Sequence, residues 1–389
     1  MKYFCDGESG GDFEPIKCSN RLMIYNWQLP NWPDFTYKLE EAQPIIINFA
    51  KEMGEVHGII QSFPADLQQE TLLQLMFSEA MKTSEIEGEY ISREDVMSSI
   101  RNNLGLNEKQ VPIKDRQAFG IAQLMVEVRH SFLEPLTVGM LKKWHQLLMT
   151  EVKNINAGNW RQGGEAMQVI SGAYGREIVH YEAPPSANVP VQMEQFVNWF
   201  NQVKFDVAGD VAEGVLKAAI AHLYFESIHP FEDGNGRIGR AISEKALSLS
   251  LKRSVMLSLS KTIEKDKRSY YDALKKAQRT LDITAWINYF ASVILEAQQD
   301  AKSMVQFTLK KAQFFDQHKR QLNERQLKVI NKMLDKGVDG FEGGMTAGKY
   351  ISITKASKAT ATRDLQYLLE LGALIQNGSG RSVHYVLNI

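Results

Sequence analysis

The run His229-Pro230-Phe231-Glu232-Asp233-Gly234-Asn235-Gly236-Arg237-Ile238-Gly239-Arg240 brings together the side chains that phosphate chemistry needs. His229 is the one group in it that accepts a proton near neutral pH. Asp233 is a hard oxygen ligand suited to Mg²⁺. Gly234 and Gly236 let the backbone take positive φ and turn its N–H groups into a concave anion nest. Arg237 and Arg240 open a helix, whose N-terminus already favours anions. A plain Gly-rich turn has no use for a base, an acid, a nest and two cations within twelve residues. The Lys-bearing phosphate loop of nucleoside triphosphatases is absent, which excludes that class.

An apolar helical run at 214–227 precedes this stretch and a second at 242–251 follows it, so it reads as helix, tight loop, helix. The first run is apolar nearly throughout, which predicts a buried central helix with His222 in the core. Helical periodicity also marks 40–58, 66–82, 117–129 and 191–200. Another helix starts after Thr137, its N-cap, and carries His145 on an apolar face as a packed residue. Ser84 and Glu87 have the spacing of a capping box, and Ser92 with Asp95 caps a helix at 96–103. Aromatic and proline residues between Tyr25 and Tyr37 predict packing against the helical body rather than a long helix. Val169-Ile170 and Ile178-Val179 flank a glycine turn at 171–175, which predicts a hairpin.

The 389 residues suffice for two or three domains, and a hydrophobic content of 44% supports a substantial core. A net charge of −1 gives no sign of a polyanion-binding protein overall. Cys5 and Cys18 lack metal-type spacing and read as free thiols. No apolar run approaches the roughly 20 residues of a membrane span, and the N-terminus has charge and glycine where a signal peptide is apolar. A soluble cytoplasmic protein is expected. A long amphipathic helix at 294–317 reads as a connector. Beyond it come helices at 324–335, 346–351 and 355–372, the last with Thr354 as N-cap, then two strands around the tip Gly378-Ser379-Gly380. This order has the form of a winged helix–turn–helix. Lys355, Lys358, Arg363 and Arg381 are placed to meet phosphates, while Asp364 and Glu370 dilute that face. Such a module binds either DNA or protein, and the pattern leaves both open.

At every specified position the central run matches the Fic family signature His-Pro-Phe-x-Asp-Gly-Asn-Gly-Arg-x-x-Arg, so the chain resembles that family. The resemblance implies a mainly α-helical bundle with a short β-hairpin flap. It also implies transfer of AMP from ATP to a Tyr, Thr or Ser hydroxyl of a target protein, self-modification included. The family's kinase-like branch carries Lys near the last loop glycine; Gly236 stands here and favours AMP transfer. On this resemblance His229 is the base and Asp233 holds Mg²⁺. Phe231, Gly234, Asn235, Gly236, Arg237 and Arg240 bind ATP. Tyr271, rather than Tyr270, meets adenine, and Asn288 or Tyr289 faces the base as well. A target segment lies along Val169, Ile170, Ile178 and Val179 by strand addition.

Thr83-x-x-x-Glu87-Gly88 resembles the family's inhibitory motif, in which the Glu pairs with the second signature arginine, here Arg240. The implied division is an N-terminal helical domain at 1–110, a catalytic domain at 111–300, a connector at 301–321 and a winged-helix domain at 322–389. Homodimers are common among Fic proteins of this build. Other chemistries on the same fold remain: removal of AMP, transfer of another phosphate-containing group, or nucleotide sensing by a transcription regulator.

Overall fold

The computed structural model describes residues 24–149, 152–164, 166–171 and 178–389. Cys5, Cys18 and most of the hairpin tip, 172–177, lie outside the described residues, as do the side chains of Ile178 and Arg381. Helices come first: α1 (Gln43–Gln61), α2 (Ala65–Ile86), α3 (Arg93–Asn103), α4 (Arg116–His130) and α5 (Val138–Met149). A two-stranded antiparallel hairpin follows, β1 (Gln168–Ser171) and β2 (Ile178–Glu182). Then come α6 (Val189–Gln202), α7 (Asp210–Ile228), α8 (Asn235–Ser250), α9 (Leu259–Lys265), α10 (Lys267–Ala277) and α11 (Thr284–His318). The chain closes with α12 (Glu324–Leu334), α13 (Ala347–Thr354), α14 (Lys358–Glu370) and the hairpin β3 (Leu374–Asn377), β4 (His384–Leu387).

Two compact units divide these elements. One comprises the described part of Met1–Met53 with Leu72–Gln299; the other comprises Gly54–Thr71 with Asp300–Ile389. At the centre of the first, every residue of α7 from Gly214 to Ile228 is buried, as expected of a helix apolar on all sides. Helix α8 packs along it and is buried nearly as fully. Trp32, Phe35, Phe196 and Trp199 gather around Tyr224 of α7, with ring centroids 5.2–5.9 Å apart. The aromatic stretch before α1 thus packs on the helical body. In the second unit Val329, Ile330, Tyr350, Leu365 and Leu368 form a separate core.

Three expectations need correction. Ser84 and Glu87 do not begin a helix: Ser84 lies in the last turn of α2, and its carbonyl accepts from the N–H groups of Glu87 and Glu89. The second central helix starts at Asn235, inside the signature, so Arg237 and Arg240 stand in its first two turns, as expected. The closing helix and the connector are one continuous helix of 35 residues, α11, because Ala291-Ser292-Val293 contains nothing that breaks it. Ser357, not Thr354, caps α14. Lys355 turns into the left-handed region (φ 60) and ends α13, and Ser357 Oγ then accepts from Thr360 N–H. No helix among the described residues is long and apolar enough to cross a membrane.

Candidate active site

Helix α7 ends where the signature begins. His229 takes φ 51, a left-handed conformation that costs a non-glycine residue energy, and Pro230 prevents the helix from continuing. Strain of this kind persists only where the surroundings enforce it. Arg161 is one enforcer: buried, it donates from Nε to His229 O (2.7 Å), from Nη2 to Pro184 O (2.5 Å) and from Nη1 to Ser186 Oγ (2.7 Å). Asn235 is another. Its side chain accepts from Phe231 N–H (3.0 Å) and donates to Phe231 O (2.8 Å), closing the loop on itself.

His145 supports the same loop from α5. Its Nδ1 accepts from Gly158 N–H (2.9 Å), so the proton of the neutral ring sits on Nε2 and points to Asp233 O (3.2 Å). The ring stacks on Phe231 at 3.9 Å. Burial, with Arg237 adding to it, pushes the imidazole down to about 4, so it stays neutral. The Phe231 side chain and the Asn235 amide therefore build the loop; neither faces the cavity described below. Of the two loop glycines, only Gly234 has positive φ (79), and it starts α8. Gly236 is helical, and what it supplies is space: a Cβ there would stand 2.5 Å from Glu87 Oε1. The expected positive φ at Gly236 belongs instead to His229.

Arg237 and Arg240, one turn apart on α8, meet the end of α2. Arg240 donates from Nε to Thr83 Oγ1 (2.8 Å) and from Nη2 to Thr83 O (3.1 Å) and Glu87 Oε1 (2.8 Å). Arg237 pairs through Nη1 with Glu89, and its Nη2 lies 3.6 Å from Asp233 Oδ1. Among the described residues, Arg237 Nε and Nη2 and Arg240 Nη1 are buried without a hydrogen-bond partner. Buried donors without acceptors are costly, and on cations they mark a place for an anion. The end of α2 is itself anchored: Glu79 accepts from Ser258 Oγ (2.7 Å) and Ser260 N–H (2.9 Å), and Lys267 Nζ donates to Glu85 O (3.1 Å).

A cavity of about 290 Å³ opens beside these groups, lined among others by Glu87, Glu226, His229, Arg240, Tyr271 and Val169. Tyr270 also borders it, but its hydroxyl is tied to His222 Nε2 (2.7 Å) within the core. Asn288 and Tyr289 do not line it; Asn288 donates to Glu41 (2.5 Å) and Tyr289 tilts against Trp286. In the hairpin Val169 pairs with Tyr181 and Ile170 with Val179, with an irregularity between Val169 and Ile170. The hairpin base is held by Trp27, which donates from Nε1 to Glu182 O (2.8 Å), and by Tyr181, which donates to Ser227 O (2.5 Å). These braces went unnoticed in the sequence, where Trp27 shows only as one aromatic among several.

Burial alone would raise the Glu87 carboxyl, but Arg240 and then Arg237 outweigh it and hold it below its ordinary value. Burial, then Arg161, pushes His229 down to about 3, so the imidazole is neutral and, contrary to the expectation from its residue type, does not take up a proton near neutral pH in this state. Its Nδ1 lies 3.7 Å from Glu226 Oε2. Glu226 is pushed up to about 8 by burial, with Arg240 opposing and Glu87 reinforcing. Its folded value lies above the ordinary 4.5, so folding favours the protonated form. That contribution is whole below about 4.5 and is lost as pH rises through about 8. Glu226→Gln cannot ionise. Its stability relative to the parent should climb by roughly 1.4 kcal/mol per pH unit across that window, read from urea melts at several pH values. A difference that stays flat with pH contradicts a buried neutral carboxyl.

Among the described residues no group of three or more His, Cys, Asp or Glu side chains could cage a metal. Mg²⁺ does not require one, since it is commonly held by one or two carboxylates together with substrate phosphates. Asp233 fits that role: its carboxylate is about one-third exposed and beside Arg237, and burial raises it while Arg237 opposes.

Comparison with known proteins agrees with this architecture. The Fic/DOC family pattern matches residues 135–247, and a domain of unknown function (DUF4172) matches residues 25–106. A probable protein adenylyltransferase of Aquifex aeolicus is 34% identical over 99 residues, which cover 25% of this chain and 27% of that protein. The protein adenylyltransferase Fic of Nematostella vectensis is 22% identical over 218 residues, covering 55% and 46%. Each match thus spans less than half of the curated relative. The crystal structure of a Fic family protein from Desulfovibrio desulfuricans G20 superposes with a TM-score of 0.50 at 20% identity, covering 92% of this chain and 98% of that one, a likeness of fold. Residues 135–247, the stretch that matches the Fic/DOC family pattern, contain the signature loop between the two buried helices α7 and α8.

Proposed function

We propose that the protein is an adenylyltransferase that moves AMP from ATP to a hydroxyl side chain of a target protein. The observation that carries this reading is the grouping of His229, Arg240 and Glu87 around one cavity, with Arg240 Nη1 buried there and without a hydrogen-bond partner among the described residues. The names of the matched relatives point the same way. The target hydroxyl oxygen attacks the α-phosphorus, the bond to the β-phosphate breaks, and pyrophosphate leaves. His229 takes the hydroxyl proton. Arg237 and Arg240 hold the β- and γ-phosphates, and the N–H groups at Gly234 and Gly236 add donors. Mg²⁺ held by Asp233 would offset charge on the phosphates. Tyr271 stacks on adenine, and the edge formed by Val169, Ile170, Ile178 and Val179 takes the target as an added strand.

In the resting protein Glu87 occupies Arg240 and keeps the γ-phosphate out. We divide the chain at 110, 300 and 321 into inhibitory, catalytic, connecting and winged-helix parts, and expect a homodimer that modifies itself. Incubation with ATP and Mg²⁺ followed by mass spectrometry tests the chemistry. An added mass of one AMP per modified hydroxyl is expected; an added single phosphate, or release of AMP from a premodified target, points to the other chemistries of this fold.

The C-terminal unit has its own reading. Lys355, Lys358 and Arg363 are exposed on and before α14. Asp364, expected to dilute that face, is buried and accepts from Tyr350 OH (2.8 Å) and Arg325 Nε (3.2 Å). A basic face on the second helix of such a pair suits a nucleic-acid backbone. Binding of duplex DNA that weakens steeply with salt is expected; no binding at low salt would leave protein contact as the role of this unit.

A further inference from the structure

The Fic signature and the inhibitory motif account for Arg240 and Glu87, but not for the carboxylate two residues further on. We propose that Glu89 is a second inhibitory group, which occupies Arg237 as Glu87 occupies Arg240. The proposal rests on the reading that Arg237 receives nucleotide phosphate.

The geometry begins with the end of α2. Gly88 takes φ 82, and Glu89 N–H returns to Ser84 O (3.0 Å), so the chain folds back over the last turn. That turn sends Glu87 and Glu89 to the same side. Their partners stand three residues apart on α8 and so share a face. Arg237 and Arg240 are both buried, with side chains 3% and 1% exposed. Each carboxylate thus compensates a guanidinium that water cannot reach. A buried cation stripped of its partner is strongly disfavoured, so neither arginine can be released until another anion arrives. A triphosphate supplies several anionic oxygens at once, whereas AMP supplies one phosphate.

Two consequences separate this from inhibition by Glu87 alone. Removing Glu87 leaves Arg237 engaged, so ATP binding is only partly released. Removing Glu89 should tighten ATP more than AMP, because Arg237 then keeps only its 3.6 Å approach to Asp233 and, on the proposed reading, serves the outer phosphates.

The experiment measures binding of ATP and AMP, each with Mg²⁺, by calorimetry on four full-length proteins: parent, Glu87→Gly, Glu89→Gln and the double variant. All carry His229→Ala to prevent turnover. Glu89→Gln is expected to tighten ATP on the order of tenfold in both backgrounds, the scale of one charged hydrogen bond, with AMP nearly unmoved. If Glu87→Gly tightens ATP and Glu89→Gln does not, in either background, the second inhibitory group is overturned while the first stands. If no protein of the four binds ATP, the nucleotide reading itself fails. Should Glu89→Gln melt too low for titration, Glu89→Asp keeps the charge on a shorter arm and is expected to tighten ATP by a smaller factor; parent-like affinity there also overturns the proposal.

Discussion

His229→Ala should reduce transfer of label from ATP to protein by about 10²–10⁴-fold or more, the range for loss of a positioned general base. ATP binding should stay within a few fold of the parent, because on the proposed mechanism the side chain meets the attacking hydroxyl and not the outer phosphates. The substitution relieves no backbone strain, since His229 holds a left-handed φ (51) that alanine tolerates no better. Melting curves therefore accompany the rate measurement. The pH profile adds a second reading. Burial and Arg161 put the imidazole near about 3, so its folded value is depressed. Acidification from about 7 to about 5 then leaves the base unprotonated and should not cost activity through this residue. A parent protein that loses labelling with a midpoint near the ordinary histidine value would show that His229 is not held neutral. Full labelling by His229→Ala would remove it from the chemistry.

Glu87→Gly should raise self-labelling on the order of 10- to 100-fold, from the worth of hydrogen bonds to a charged group, about 1.5–3 kcal/mol. Glu87 accepts from Arg240 at 2.8 Å, and both side chains are largely buried. The substitution removes that acceptor and the oxygen that crowds Gly236. Arg240 keeps its two bonds to Thr83, so the guanidinium stays in place for phosphate. The gain should appear in ATP affinity and in rate together, and should vanish when His229→Ala is added. Labelling unchanged from the parent would mean that the pair serves stability only. Gly236→Ala offers a milder version of the same displacement, because its new Cβ meets only the far end of Glu87 and of Arg240.

The loop was legible because its chemistry is contiguous. Base, acid, glycine and arginines follow one another in the chain, and the flanking apolar runs name the helices that carry them. The partner of Arg240 is 153 residues away, and only a motif match suggested it. The partner of Arg237 is 148 residues away and belongs to no motif, so nothing in the sequence singled out Glu89. Arg161, His145 and Asn235 act through backbone carbonyls and N–H groups of the loop. Such contacts leave no pattern in residue types, which is why Asn235 read as a phosphate donor and His145 as simple packing. Helix ends failed for a related reason. Ser84-Glu85-Ile86-Glu87 has the letters of a helix start, yet the preceding turns of α2 run through it, and tertiary contacts decide which end it is. Secondary structure in 284–318 was divided where the apolar pattern loosens, although no glycine or proline interrupts α11.

AMP transfer and phosphate transfer differ in which phosphorus stays with the protein. The direct test uses purified Glu87→Gly protein with Mg²⁺ and two batches of ATP, one labelled at the α-phosphorus and the other at the γ-phosphorus. Stable label from the α batch, none from the γ batch, and neither in the His229→Ala control is the expected result. Label retained from the γ batch, or from neither, contradicts a site in which His229 deprotonates an alcohol for attack on the α-phosphorus.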